Sequence, residues 1–147
     1  MYLELRSTPK ALLSKKGGER SSVSEYIDTV LRAIKDGETS ENGIIRVRYI
    51  ASINRSAPVE YAKEVVDLAL KYKEAKESYL VGVELSGDPR TGKFSDFKGA
   101  LEKAKAEDIR VSLHCSELPE QNIETPEMLD FKPDRLGHCI YMVSLLN

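Results

Sequence analysis

Residues 43–70, GIIRVRYIASINRSAPVEYAKEVVDLAL, read as one strand, one turn and one helix. The first eleven residues are rich in β-branched side chains, which fit a pleated, largely covered surface, so residues 43–53 are expected to form a strand. Ala57-Pro58 then opens a helix, because proline is tolerated in a first turn, and Val59, Ala62, Val66 and Leu70 fall on one stripe. The same unit recurs on both sides. Upstream, residues 1–7 alternate Tyr, Glu and Arg with Leu and stop at Ser7-Thr8-Pro9, as a strand would. A helix follows, with Ser24 as the expected cap, Ile27, Val30, Leu31 and Ile34 on one face, and Gly37 closing it. Downstream, residues 79–85 (YLVGVEL) and 109–114 (IRVSLH) are strands, separated by a helix marked by Phe94, Phe97, Leu101 and Ala104. A short helix capped by Thr125 with Pro126 in first position, then a strand at 135–138 (RLGH), complete the series. Five strands alternating with four helices at spacings of roughly 25 to 40 residues define an α/β class with a parallel sheet. Polar loops at residues 13–18 and 37–43 interrupt the pattern without marking a boundary, and residues 139–147 form an apolar tail.

Composition narrows the function. The chain has 147 residues, 41% hydrophobic and 31% charged, enough for one domain. Lys plus Arg number 22 against 24 Asp plus Glu, so the formal charge is −2 and no basic block suits a nucleic-acid partner. No apolar run approaches the ~18 residues of a membrane span, and the charged start, MYLELR, does not suit a signal peptide. A cytoplasmic protein without a membrane partner is the expectation. Cys115 and Cys139 are too few for a disulfide scaffold, and no Cys-x-x-Cys pair occurs.

Parallel α/β sheets carry their chemistry beyond the carboxyl ends of the strands. Those positions here are polar: Arg6-Ser7-Thr8, Ser52-Ile53-Asn54, Ser86-Gly87-Asp88, residues 114–117 (HCSE) and His138, so both histidines of the chain lie there. His114 and Glu117 offer a base beside an acid, as proton transfer or metal binding requires. Taken singly, His114 reads equally as a core histidine, Glu117 as a solvated loop carboxylate, and His138 as a packed ring. Cys115, next to His114 on a strand, points to the opposite face and reads as a buried thiol. Residues 87–94, GDPRTGKF, match the G-x-x-x-x-G-K of a phosphate-binding loop, which would make the chain an NTPase. Phe94 replaces the Ser or Thr that holds magnesium, Pro89 lacks an amide and Asp88 repels phosphate.

Residues 2–9 (YLELRSTP), 85–89 (LSGDP), 113–117 (LHCSE) and 134–138 (DRLGH) occur together and in order, and the set resembles the adenosine deaminase family, most of all its branch acting on N(6)-methyl-AMP. The resemblance implies an incomplete TIM (β/α)8 barrel, about strands 2 to 6 with their helices, spanning residues 1–138, with 139–147 a divergent tail. It further implies zinc-dependent hydrolysis at carbon 6 of a purine nucleoside monophosphate, N(6)-methyl-AMP giving IMP and methylamine. His114 would be a zinc ligand, Glu117 the proton donor to the purine ring, and His138 the residue that orients or deprotonates the attacking water. Gly87 would present backbone to the purine, while Ser7, Thr8, Pro9 and Lys10 would grip the ribose or 5′-phosphate. Asn54 stands where close relatives carry an acid at a substrate contact. The family's His-x-His pair and its two aspartates belong to segments outside these 147 residues, so zinc is not expected to be held by this chain alone. A catalytically inactive remnant that binds a nucleotide or a partner is the alternative. Open first and last strands would leave unpaired edges and favour self-association. The inner face, carrying Leu3, Leu5, Val83, Leu85, Val111 and Leu113 or their alternating neighbours, would lose packing.

Overall fold

A computed structural model describes residues 1–12, 18, 20–39, 44–74 and 78–142. The elements are β1 (Tyr2–Ser7), α1 (Val23–Thr39), β2 (Arg46–Asn54), α2 (Val59–Lys73), β3 (Leu80–Ser86), α3 (Phe94–Ala106), β4 (Arg110–Cys115), a 3-10 turn at Pro119–Ile123, α4 (Thr125–Asp130) and β5 (Arg135–His138). All strand pairs are parallel and the order is β1-β2-β3-β4-β5. Each helix therefore returns the chain to the start of the next strand, and the five carboxyl ends share one edge. Arg135 on β5 reaches Glu4 on β1 at 2.5 Å although these strands lie at opposite ends of the sheet. The sheet is thus curled into a partial (β/α)8 barrel with its helices outside.

Two helix starts differ from expectation. Ser22, not Ser24, caps α1: its hydroxyl accepts the Glu25 amide at 3.1 Å while the Glu25 carboxylate accepts the Ser22 amide at 2.6 Å. This reciprocal pair is a capping box, and it frees the Ser24 hydroxyl to meet Tyr72 at 3.2 Å. The helix also runs through Gly37 to Thr39. Thr125 is the first residue of α4 rather than its cap, and its hydroxyl bonds back to the Gln121 carbonyl inside the preceding 3-10 turn, which periodicity had not indicated. Residues 13–17, 40–43 and 143–147, which hold most of the anticipated loops and the end of the tail, lie outside the described residues.

The two faces of the sheet have opposite character. Val83, Leu85, Val111 and Leu113 are buried against the helices with Tyr49, Ala51, Ile53, Val66, Phe97 and Leu101. Their alternating neighbours line the concave side, and apart from Ile50 and Gly82 these are polar: Glu4, Arg6, Ser52, Glu84, Ser112 and His114. Arg6 pairs with Glu84 at 2.7 Å, Ser52 with Ser86 at 2.6 Å, and Ser112 reaches Glu84 at 3.4 Å. Of the two inner-face sets, the structure selects the hydrophilic one, because the helices already cover the aliphatic one. Opening the barrel at this side therefore exposes mainly ion pairs and hydroxyls. The uncovered apolar surface lies instead on the outside of β1, where Leu3 and Leu5 remain 48% and 42% exposed beside Val30, Ile34 and Val47. No helix among the described residues is long and apolar enough to cross a membrane.

Candidate functional site

The sheet register levels the strand ends, setting Asn54 beside Ser86 and His138 beside Cys115. His114 and His138, 24 positions apart, meet edge to face with ring centroids 4.6 Å apart. Gly137 makes room for this, since a Cβ there would stand 3.2 Å from the His114 ring. The chain then turns sharply after both strands. Ser116, His138 and Cys139 adopt left-handed backbone, with φ of 49°, 63° and 58°. Such conformations cost side-chain-bearing residues energy and persist where the surroundings enforce them. The result brings Glu117 Oε2 to 3.6 Å from His138 Nε2, and the ligand-type atoms of His114, Glu117 and His138 all lie within 4.8 Å of one another.

Residues without a sequence signature hold this group in place. Gln121, buried in the 3-10 turn, accepts the Glu117 amide at 2.9 Å and donates to the His114 carbonyl at 3.3 Å. Below them, Glu84 Oε1 lies 3.4 Å from His114 Nε2. Burial works to raise the Glu84 carboxyl above its usual range, but His114 and Arg6 outweigh it and hold the group ionised below that range.

The remaining sequence candidates lie at or just beyond the carboxyl ends of β1, β2 and β3. Ser7 meets the Tyr49 hydroxyl through both its own hydroxyl and its carbonyl, each at 3.1 Å. The Tyr61 hydroxyl donates to the carbonyl of buried Pro9. Burial pushes Tyr49 up to about 12 and raises Tyr61 as well, so both stay neutral donors. Thr8 is half-buried and Lys10 exposed. Gly87 has φ +103°, and a Cβ there would approach Asn54 Oδ1 to 2.5 Å. That oxygen accepts the amide and hydroxyl of Ser56, so Asn54 spends its carbonyl on its own turn.

The glycines of the phosphate-loop-like segment serve packing. Gly92 leaves space for the Arg55 carbonyl, which a Cβ would meet at 2.4 Å. Asp88 is taken by Arg90 through two contacts of 2.8 Å, which closes the loop with an acid where a phosphate would bind. Arg55 itself, 1% exposed in its side chain, lies 2.5 Å from Glu124 and donates to the Gly92 carbonyl at 3.2 Å. Glu124 also accepts the Phe94 amide at 2.8 Å, the first amide of α3. One buried ion pair thus ties together the segments after β2, β3 and β4.

Two imidazoles and a carboxylate within 4.8 Å are a donor set that zinc accepts, and zinc is the metal the sequence resemblance implies. Comparison with known proteins agrees with the fold and the motif order. A family model described as "Adenosine deaminase" matches residues 1–144. The "N6-Methyl-AMP deaminase" of Bos taurus is 39% identical over 145 residues, which cover 97% of this chain and 39% of that protein. The crystal structure of the Arabidopsis N6-mAMP deaminase superposes with a TM-score of 0.77 at 38% identity, over 93% of this chain and 40% of that one. An Arabidopsis homologue crystallised with IMP gives a TM-score of 0.78 at 38% identity, over 93% and 39%. The chain spans about two fifths of the length of these relatives. With the family model matching residues 1–144 of this chain and four motifs at the ends of four of its five parallel strands, the chain belongs to the adenosine deaminase family.

Proposed function

We propose that these residues supply the acid–base side of a zinc-dependent purine nucleotide deaminase that converts N(6)-methyl-AMP and water to IMP and methylamine. The observation that carries the reading is the convergence of His114, Glu117 and His138 at one strand edge. The names of the relatives, and the IMP found in one of their structures, support the substrate class. Zinc, when bound through His114 and ligands from the rest of the barrel, would lower the pKa of a water towards neutrality. His138 is the residue that would orient the attacking water and take its proton. Glu117 is the proton donor to the purine ring as water adds at carbon 6, and the proton taken from the water leaves with the departing methylamine. Gly87, free of a side chain, offers its backbone to the purine, while Ser7, Thr8 and Pro9, pinned by Tyr49 and Tyr61, and the charge of Lys10 grip the ribose and 5′-phosphate. Asn54, its carbonyl engaged with Ser56, is the substrate contact at that corner.

The same reading takes residues 1–138 as part of the hydrolase domain and 139–147 as its divergent tail, in a cytoplasmic protein. The open edges of β1 and β5, with Leu3 and Leu5 exposed beside the former, favour self-association when the rest of the barrel is not present. The test is to join this chain to the remaining barrel segments of a relative and assay methylamine release from N(6)-methyl-AMP. Glu117→Gln should lower the rate roughly 10²- to 10⁴-fold. An active chimera unaffected by that change removes Glu117 from the role of proton donor.

A further inference from the structure

We infer that Asn54 recognises its ligand as a hydrogen-bond donor: its carboxamide nitrogen Nδ2, fixed at the carboxyl end of β2, binds a lone-pair acceptor of the nucleotide. The inference rests on the reading of this sheet edge as a nucleotide site and adds to it the polarity of one contact.

The turn after β2 sets the orientation of the carboxamide. Asn54 is the last residue of that strand, and its Oδ1 accepts the Ser56 amide at 2.9 Å and the Ser56 hydroxyl at 2.6 Å. A backbone N–H can only donate, so an amide nitrogen turned towards Ser56 would set donor against donor and lose the bond. Oδ1 therefore faces the turn and Nδ2 faces away from it. The backbone here is tied on both sides: the Asn54 carbonyl accepts the Ala57 amide at 2.9 Å, and the Arg55 amide donates to the Ser86 carbonyl at 2.8 Å. Gly87 bounds the carboxamide from β3. A Cβ at that position would stand 2.5 Å from Oδ1 and 3.0 Å from Cγ of Asn54, so only a bare backbone leaves room for the side chain where it lies. The same backbone is the one offered to the purine, which places Asn54 next to the ligand.

While Oδ1 is fully engaged, Nδ2 makes no hydrogen bond among the described residues. The residue is half-buried, and Nδ2 is not one of the buried polar atoms that lack a partner, so it stays open to solvent. An amide nitrogen carries two N–H groups and no lone pair to offer, and here its direction is set by its own oxygen. The ordering that a free side chain undergoes on binding is already complete in the turn. A carboxylate of the same shape would keep both bonds from Ser56 but present a negatively charged acceptor to the ligand. Phosphate oxygens and purine ring nitrogens can accept from an amide and cannot donate to a carboxylate, and a ribose hydroxyl can accept through its lone pairs. The neutral donor therefore suits a nucleotide acceptor, and the substitution that separates the two polarities is Asn54→Asp.

The experiment is a titration of the isotope-labelled 147-residue chain with IMP and, separately, with inosine, followed by nuclear magnetic resonance of backbone and side-chain amides. The expected result with IMP is a saturable downfield shift of the Asn54 Nδ2 protons, while the Ser56 amide, already bonded to Oδ1, moves little. Asn54→Asp should weaken IMP binding at least ~10-fold. Circular dichroism reports whether that variant keeps its fold, and the shift in the unaltered chain decides the matter if it does not. An Nδ2 shift with IMP but not with inosine assigns the acceptor to the 5′-phosphate, and a shift with both assigns it to the nucleoside. IMP that shifts the Gly87 amide but leaves the Nδ2 protons in place, or that binds a folded Asn54→Asp chain as tightly as the unaltered one, overturns the donor contact and leaves the nucleotide site standing. IMP that shifts no signal at this edge overturns both.

Discussion

Glu124→Gln changes the shape of its side chain little and removes one charge, which makes it a clean probe of the ion pair beneath the strand-end segments. Arg55 cannot shed its proton, and its side chain is 1% exposed against 15% for Glu124. Its Nε and Nη1 have no hydrogen-bond partner among the described residues, so the 2.5 Å contact with Glu124 and the Gly92 carbonyl carry its compensation. Two charges about 4 Å apart at an effective dielectric of 20 attract by about 4 kcal/mol. Breaking a buried pair by removing one partner costs roughly 3–5 kcal/mol, since the other charge is left stranded. The glutamine can still accept the Phe94 amide, so the loss reports the charge rather than the helix cap. A whole domain is stable by only ~5–15 kcal/mol, so this single change should remove a large share. With an m-value of about 2 kcal/mol/M, the urea midpoint should fall by roughly 2 M, read by far-ultraviolet circular dichroism. Arg55→Met should cost less, because Glu124 lies near enough to solvent to hydrate, and the double variant should be more stable than Glu124→Gln alone. A Glu124→Gln chain within ~1 kcal/mol of wild type, or strictly additive losses in the double variant, would refute the reasoning.

Three further outcomes are expected. Gly87→Ala forces a left-handed alanine whose Cβ meets Asn54 Oδ1 at 2.5 Å. It should cost roughly 1–3 kcal/mol and speed hydrogen exchange at the Ser56 amide, and an unchanged midpoint counts against the close approach. Tyr61→Phe deletes the donor to the Pro9 carbonyl and should cost about 1 kcal/mol while accelerating exchange at Thr8 and Lys10; unaltered exchange there would show that Tyr61 does not pin the segment. Acid should loosen the contact between the two end strands. The Arg135 hydrogen bond to Glu4, against a smaller opposing effect of burial, holds the Glu4 carboxyl below its usual 4.5. Its contribution to stability is therefore present above about that pH and is lost as pH falls through the lowered value in the folded chain. Glu4→Gln should flatten this part of the acid-unfolding curve, and identical curves would show that the Arg135 contact contributes nothing.

The order of elements was legible in the sequence because it is a local property. Alternation at 2–7, β-branched runs in β2 and β3, and apolar residues at helical spacing in α2 and α3 each bury a face with the neighbouring turn or strand, and that need is written within ten residues. For the same reason the strand ends could be found, and with them the polar residues of the site. Periodicity, however, gives two alternating sets and not the identity of the inner one. Only the packing of helices over Val83, Leu85, Val111 and Leu113 decided that Glu84, Ser112 and His114 face the concavity. The capping box of α1 shows the limit at short range, for Ser22 and Ser24 both precede a helical stripe, and the reciprocal bond to Glu25 together with a hydroxyl contact to Tyr72 chose between them. At long range nothing local exists to read: Glu124 serves α3 and Arg55 rather than its own helix, Glu4 meets Arg135 across 131 positions, and His114 meets His138 across 24. Such contacts arise because parallel crossovers bring strand ends level and the sheet curls, so residue types were set by the sequence while their partners were set by the curvature and register of the folded sheet.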